Sequence, residues 1–207
     1  MWPGNGGKPG ASGRLGTGFL AAFVLMAGLT AGTQAAPDQR AEQVWDRLES
    51  ANWIALGADE PERVVYAFTD PNCPYCNLLW RASKPYYSEG LQVRHIMVGI
   101  LKPSSPGKAA AILGADDPAA ALQRHERNHE SGGIEPVNSP DAGVQGRLTR
   151  NQQLMKRFGI RATPGLVFRT ADGGVRKLMG MPRISQIHEI FRLPKQAQTD
   201  PALESYK

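Results

Sequence analysis

The sequence predicts an α/β domain organised around one pair of thiols, and three observations carry that expectation. The two cysteines of the 207-residue chain are Cys73 and Cys76, spaced Cys-x-x-Cys. They directly follow a β-branched and aromatic run, Val64 to Phe68, and they open a stretch with helical spacing. From Ala36 onward the segments read as helix, strand, helix, strand, a helical block, a further helix, then a hairpin and a closing helix. Neither the 41% hydrophobic nor the 21% charged content departs from globular averages, so composition leaves the class to the pattern.

Residues 1–14 are rich in Gly and Pro and carry Lys8 and Arg14 as their charges, and an apolar run follows from Leu15 to Gly32. The small residues Thr33 and Ala35 suit the minus-three and minus-one positions of a cleavage site, so residues 1–35 read as a signal peptide and Ala36 as the start of the mature chain. An uncleaved anchor is the competing reading, because the run approaches the ~20 residues that span a bilayer. Removing the leader takes two of 24 basic and none of 19 acidic residues, so the net charge falls from +5 to 22 − 19 = +3. With no Lys/Arg cluster interleaved with aromatics, nucleic acid is not an expected partner. Export places the cysteines in an oxidising compartment.

Residues 36–60 read as an N-terminal helix with an entry segment. Asp38 to Ala51 is the helix, with Val44, Trp45 and Leu48 forming its apolar stripe, and Asn52 to Gly57 is extended. Residues 61–194 read as the main domain. Arg63 to Thr69 is a buried strand, and a helix runs from Cys73 to about Ser83, where Pro85 interrupts it. Leu91 to Leu101 is a second strand, and 103–107 is a turn. Lys108 to Leu113 and Pro118 to His129 are helices, with Asp116 and Asp117 suited to the N-terminus of the second. Ser131 to Gly146 reads as a loop, and Leu148 to Phe158 as a helix closed by Gly159. Leu166 to Phe168 and Val175 to Met179 flank an Asp-Gly-Gly turn, Ser185 to Arg192 is the last helix, and the polar residues 195–207 read as a disordered tail.

A cysteine at a helix N-terminus faces free backbone N–H groups and the positive end of the macrodipole, both of which favour its thiolate. Cys73 holds that position and is the expected nucleophile. Cys76, one turn further in, is the expected resolving thiol, and Pro74 suits the first turn because no N–H bond is lost there. A purely structural disulfide closing so small a loop would stabilise little. A zinc site needs about four ligands, whereas His95, His125, His129 and His188 are scattered. His125 and His129 lie four apart among Arg124, Glu126, Arg127 and Glu130, a pattern that reads as a solvated helix face, so no metal is expected.

The segment Phe-Thr-Asp-Pro-Asn-Cys-Pro-Tyr-Cys-Asn-Leu-Leu-Trp, Phe68 to Trp80, resembles the active-site segment of the DsbC/DsbG family of thiol:disulfide interchange proteins, with the Pro-Tyr dipeptide on the DsbG side. Val98 to Leu113, Asn151 to Pro164 and Trp45 to Gly57 are similar to further stretches of that family, so the resemblance spans about Glu42 to Phe191. It implies a thioredoxin-like fold with a helical insertion at about 104–147, preceded by a linker helix. It implies that Thr163-Pro164 is cis and lies beside Cys73, with Thr163 offering backbone groups to an extended substrate. Asp70, Pro74, Tyr75, Thr163 and Pro164 are the candidates for tuning the thiolate or contacting substrate.

The family's N-terminal dimerisation domain has no counterpart ahead of the helix, which favours a monomer and puts cleft-based isomerase and chaperone activity in doubt. The resemblance further implies a periplasmic location and exchange or reduction of disulfides or sulfenic acids on exported proteins, by a dithiol that a DsbD-type membrane reductase regenerates. No cofactor is expected beyond the redox-active Cys73–Cys76 disulfide. Two alternatives stand beside this reading: a net oxidant recharged by a DsbB-like partner, and a non-catalytic peptide-binding or chaperone-like protein on the same scaffold.

Overall fold

The computed structural model describes residues 37–206, so the expected signal peptide lies outside the described residues. Among the described residues, no helix is long and apolar enough to cross a membrane. Five strands form one sheet: β1 (Trp53–Gly57), β2 (Arg63–Thr69), β3 (Leu91–Met97), β4 (Gly165–Arg169) and β5 (Val175–Met179). Their spatial order is β1-β3-β2-β4-β5, with β2 and β3 parallel and every other pair antiparallel. The central strand β2 is covered on both faces, which explains why Val64 to Phe68 is a continuous apolar run instead of alternating.

The faces of β2 divide the core. Val65 and Ala67 point to one side, where Leu79 and Ala82 of α2 (Pro74–Ser83) and Ile187 and Phe191 of α6 (Ile184–Phe191) pack on them. Tyr66 and Phe68 point to the other, against Trp45 and Leu48 of α1 (Pro37–Glu49) and Met155 of α5 (Ala142–Arg157). The N-terminal helix is therefore a layer of this core. Trp45 meets Tyr66 edge to face at 5.1 Å, and Arg169 of β4 grips Glu42 through two 2.8 Å hydrogen bonds. Between β3 and β4 the chain makes α3 (Ser105–Leu113), α4 (Pro118–Arg127) and then α5. Ile112, Leu122 and Leu148 of these helices close over Trp80 and Met97.

Four expectations need correction. Strand β3 stops at Met97, four residues short of the expected end, because β2 ends at Thr69 and the N–H groups of Ile100 and Leu101 turn to the Asp70 carboxylate. Gly99 belongs to that departure, since a Cβ there would lie 2.6 Å from Pro106 Cα. The expected turn at 103–107 ends at Ser104, and α3 begins at Ser105 instead of Lys108, with Pro106 an allowed first-turn residue. Helix α5 begins at Ala142, six residues before the expected Leu148, because Asp141 caps it by accepting from Val144 N at 2.9 Å despite the glycines at 143 and 146. Its other end is as expected, with Gly159 at φ +65 where a residue bearing a Cβ would be strained.

The fourth correction concerns the tail. The segment expected to be disordered from 195 onward packs on the domain and ends in a 3-10 helix over Pro201–Tyr206. Leu203 within it is fully buried beside Leu79, Tyr86 and Phe191. Burying one leucine stabilises by roughly 1.5–3 kcal/mol, and the Arg81–Asp200 ion pair and the hydrogen bonds of Gln196 and Gln198 hold the segment with it.

Candidate active site

Strand β2 delivers the chain to the site. After Thr69 the backbone turns, with Cys73 N donating to Asp70 O at 3.0 Å, and Cys73 becomes the N-cap of α2 in an extended conformation (φ −88, ψ 111). Its side chain does not cap the helix. The sulfur instead donates to Thr163 O at 3.3 Å across a sequence separation of 90 residues. The Thr163-Pro164 bond is cis, and Pro164 O accepts from Gly180 N at 2.8 Å, which ties this loop to the end of β5. Of the sequence candidates, Cys73, Pro74, Tyr75, Cys76, Thr163 and Pro164 come together here.

The two thiols are free and differ sharply in surroundings. The Cys73 thiol is brought down to about 7, first by the hydrogen bond from the Cys76 thiol. Burial works against this, while the Thr163 side chain and the backbone N–H groups of Cys76 and Tyr75 add to it. The Thr163 hydroxyl is buried without another hydrogen-bond partner, so it is available to a thiolate that can no longer donate to the Thr163 carbonyl. Cys76 is pushed well above the usual thiol range by its complete burial, and then by the neighbouring Cys73. One thiol is thus disposed to ionise near neutrality and the other to keep its proton. Cys73 is only 2% exposed, so its nucleophile is more enclosed than the single exposed thiolate that a bare helix N-terminus suggests.

Asp70 has a scaffolding position. It is buried at 1% exposure and its carboxylate is filled. Oδ1 accepts from Asn72 N at 2.9 Å and Ser105 Oγ at 2.7 Å, and Oδ2 accepts from Ile100 N at 2.7 Å and Leu101 N at 3.0 Å. It therefore pins the loop after β3 and the start of α3 to the loop before Cys73. Asn72 extends the network by donating from Nδ2 to Ser105 Oγ at 2.9 Å and accepting from Lys108 Nζ at 3.2 Å. Tyr75, in contrast, is 48% exposed.

Helix α4 brings two residues that the sequence reading placed on a solvated face. His125 is buried, its Nδ1 accepting from Ile134 N at 3.0 Å. That contact puts the ring proton on Nε2, which donates to Pro71 O at 2.8 Å, two residues before Cys73. Burial lowers His125 to about 4, so the ring is neutral at physiological pH. Glu126 is buried too, and its Oε2 accepts from Nδ2 of Asn77, the residue after Cys76, at 2.7 Å. Burial raises Glu126 to about 7, with the Asn77 hydrogen bond opposing the shift. Ala121 and Leu122 lie on the same face and were the available signal, outweighed by the flanking charges.

The sequence profile of the thioredoxin-like domain family matches residues 53–193. The chain is 39% identical over 152 residues to the thiol:disulfide interchange protein DsbG of Pseudomonas aeruginosa, covering 73% of this chain and 59% of that protein. To DsbG of Escherichia coli it is 35% identical over 145 residues, covering 68% and 57%. The chain thus spans somewhat under three fifths of the length of these relatives. Among solved structures, Proteus mirabilis ScsC in a compact conformation superposes with a TM-score of 0.61 at 23% identity, covering 77% of this chain and 80% of that one, a likeness of fold. The chain belongs to the thioredoxin-like domain family, and within it is similar to the DsbG and DsbC thiol:disulfide interchange proteins.

Proposed function

We propose that this protein is an exported, periplasmic thiol-disulfide oxidoreductase that reduces or exchanges oxidised cysteines on other exported proteins. The asymmetry of the two thiols is the observation that carries this reading. The Cys73 thiolate attacks one sulfur of a substrate disulfide; the new Cys73–substrate bond forms as the substrate S–S bond breaks, and the departing thiolate takes a proton from water. Cys76 then attacks Cys73 Sγ and loses its proton, closing the Cys73–Cys76 disulfide and releasing the second substrate thiol. Two electrons pass from the dithiol to the substrate. A sulfenic acid follows the same course, with the Cys73–substrate bond replacing the S–O bond and the oxygen leaving as water.

A net oxidant needs a strongly stabilised reduced form. A strongly oxidising Cys-x-x-Cys protein can hold its nucleophile as low as about 3.5, and a reducing one can hold it near about 7. With Cys73 at about 7, the reducing direction is favoured, and a membrane reductase of the DsbD type is the regenerating partner this reading calls for.

The test is turnover of a protein disulfide with dithiothreitol as electron donor. Wild-type protein accelerates it, Cys73→Ser abolishes it, and Cys76→Ala accumulates mixed disulfides on Cys73. Adducts that instead gather on Cys76 in Cys73→Ala would reverse the roles, and turnover by Cys73→Ser would leave the family's scaffold without its chemistry.

A further inference from the structure

After α6 the chain doubles back along the active-site helix. Gln196 N donates to the Tyr86 hydroxyl at 3.4 Å, and Gln198 Nε2 donates to Ala82 O at 3.0 Å, both beyond the midpoint of α2. One residue closer to the cysteines, Asp200 pairs with Arg81 at 3.2 Å, while Arg81 Nε donates one turn further on to Asn77 Oδ1 at 2.8 Å. Leu203 is then buried against the α2 side of the core. Finally the Tyr206 ring meets the Tyr75 ring edge to face, centroids 6.1 Å apart. The segment therefore runs antiparallel to α2 from its far end to the dipeptide between the cysteines.

Tyr75 is one of the few large apolar side chains left open among the described residues, together with Ile100, Leu101, Val137 and Met179. Tyr75 lies in the dipeptide between the two thiols, two residues after a nucleophile that is itself 2% exposed. A polypeptide disulfide docking at Cys73 covers the surface around the dipeptide, where this half-exposed ring is available to it, whereas a small disulfide covers little of that surface. An unsupported tyrosine at 48% exposure has several side-chain rotamers open to it, and fixing one in advance removes an ordering cost from binding.

We infer that residues 194–206 form a strap that sets the Tyr75 ring through Tyr206, which makes Tyr206 a positioning residue for polypeptide disulfides. This rests on the thiol-exchange reading above. Tyr206 does not reach Cys73; it acts through Tyr75, and Leu203 and Asp200 hold it in place.

The full chain, Tyr206→Ala and Tyr206→Phe are compared on two disulfides, insulin and hydroxyethyl disulfide, through the ratio of the two kcat/KM values. Tyr206→Ala lowers the insulin-to-hydroxyethyl-disulfide ratio by about fivefold, within the range open to one aromatic pair, chiefly through KM for insulin. Tyr206→Phe keeps the ring and restores the ratio. A ratio unmoved by Tyr206→Ala overturns the inference, because a general loss of folding or of thiolate would depress both substrates together. A Phe variant that behaves like Ala overturns the edge-to-face ring contact as the means by which Tyr206 sets Tyr75. Wild-type protein inert on both disulfides would instead refute thiol exchange itself, a failure read directly from the unmutated chain.

Discussion

The two sides of Cys73 are built differently. On the side of the Asp70 loop, the reacting segment is bolted down: four groups converge on one buried carboxylate, and the neutral His125 ring holds Pro71 O. On the side of Tyr75 there is a half-exposed ring braced by a second ring, and the brace belongs to a segment anchored mainly by one leucine and one ion pair. The difference separates two tasks. Polar networks that are buried and fully satisfied fix geometry, which is what keeping a thiol at a helix N-terminus requires. Aromatic contacts at an open edge hold a surface in shape while leaving it accessible to a partner.

Breaking the bolted side has the largest expected effect. Asp70→Ala leaves three backbone N–H groups, those of Asn72, Ile100 and Leu101, and the Ser105 hydroxyl without their acceptor, and hydrogen bonds to a charged group are worth roughly 1.5–3 kcal/mol each. A loss of about 4 kcal/mol of unfolding free energy in urea is expected, together with a rise of the Cys73 pKa as the loop relaxes. A loss under about 1 kcal/mol would mean that the network is ornamental to the fold.

On the open side, Leu203→Ala vacates a fully buried position, so about 3 kcal/mol is expected from transfer and cavity costs. Protease cleavage within 194–206 should appear at the same time, while the thiol chemistry persists. If the segment stays protected in Leu203→Ala, the ion pair and not the leucine is the anchor.

The smallest effect tests the seam between the two sides. Glu126 is raised to about 7 from an ordinary carboxyl value of 4.5, so the folded state holds its proton more tightly than the unfolded state does between those limits. Stability from this group is therefore fully present below about 4.5 and is lost as pH rises from there through about 7. Glu126→Gln keeps an acceptor for Asn77 and removes the buried charge. It should stabilise the protein by about 2 kcal/mol at pH 8 and by almost nothing at pH 4. His125 and His95 oppose this trend at the acid end. Both are lowered to about 4 by burial, so below about 6.5 the unfolded chain gains protons that the folded one refuses. Equal effects of Glu126→Gln at both pH values would show that the carboxyl is not ionising inside the fold.

The same contrast explains what was legible in the sequence. Strand β2 and helix α2 were readable because an apolar run and a helical stripe meet at the cysteines, and the family resemblance supplied the approach of Thr163-Pro164, which no local pattern encodes. Asp70 was recognised as relevant, but its task depends on Ile100, Leu101 and Ser105, about 30 residues away, and only folding brings them to it. His125 and Glu126 were hidden by Arg124 and Arg127 on the same helix, whose charges dominate its composition while facing elsewhere. The strap was missed for a related reason. A single buried leucine in a polar stretch leaves no periodicity, and its anchoring is tertiary throughout.

The central claim is that the two thiols are set apart, one disposed to ionise near neutrality and the other kept protonated. Alkylation of the reduced protein by iodoacetamide across pH 5 to 10, with the modified cysteine identified by mass spectrometry, reads this directly. Modification of Cys73 with a midpoint near 7 is expected, with Cys76 left unmodified throughout that range. A Cys73 midpoint near the ordinary thiol value of ~8.5, or alkylation of Cys76 at a comparable rate, would contradict it.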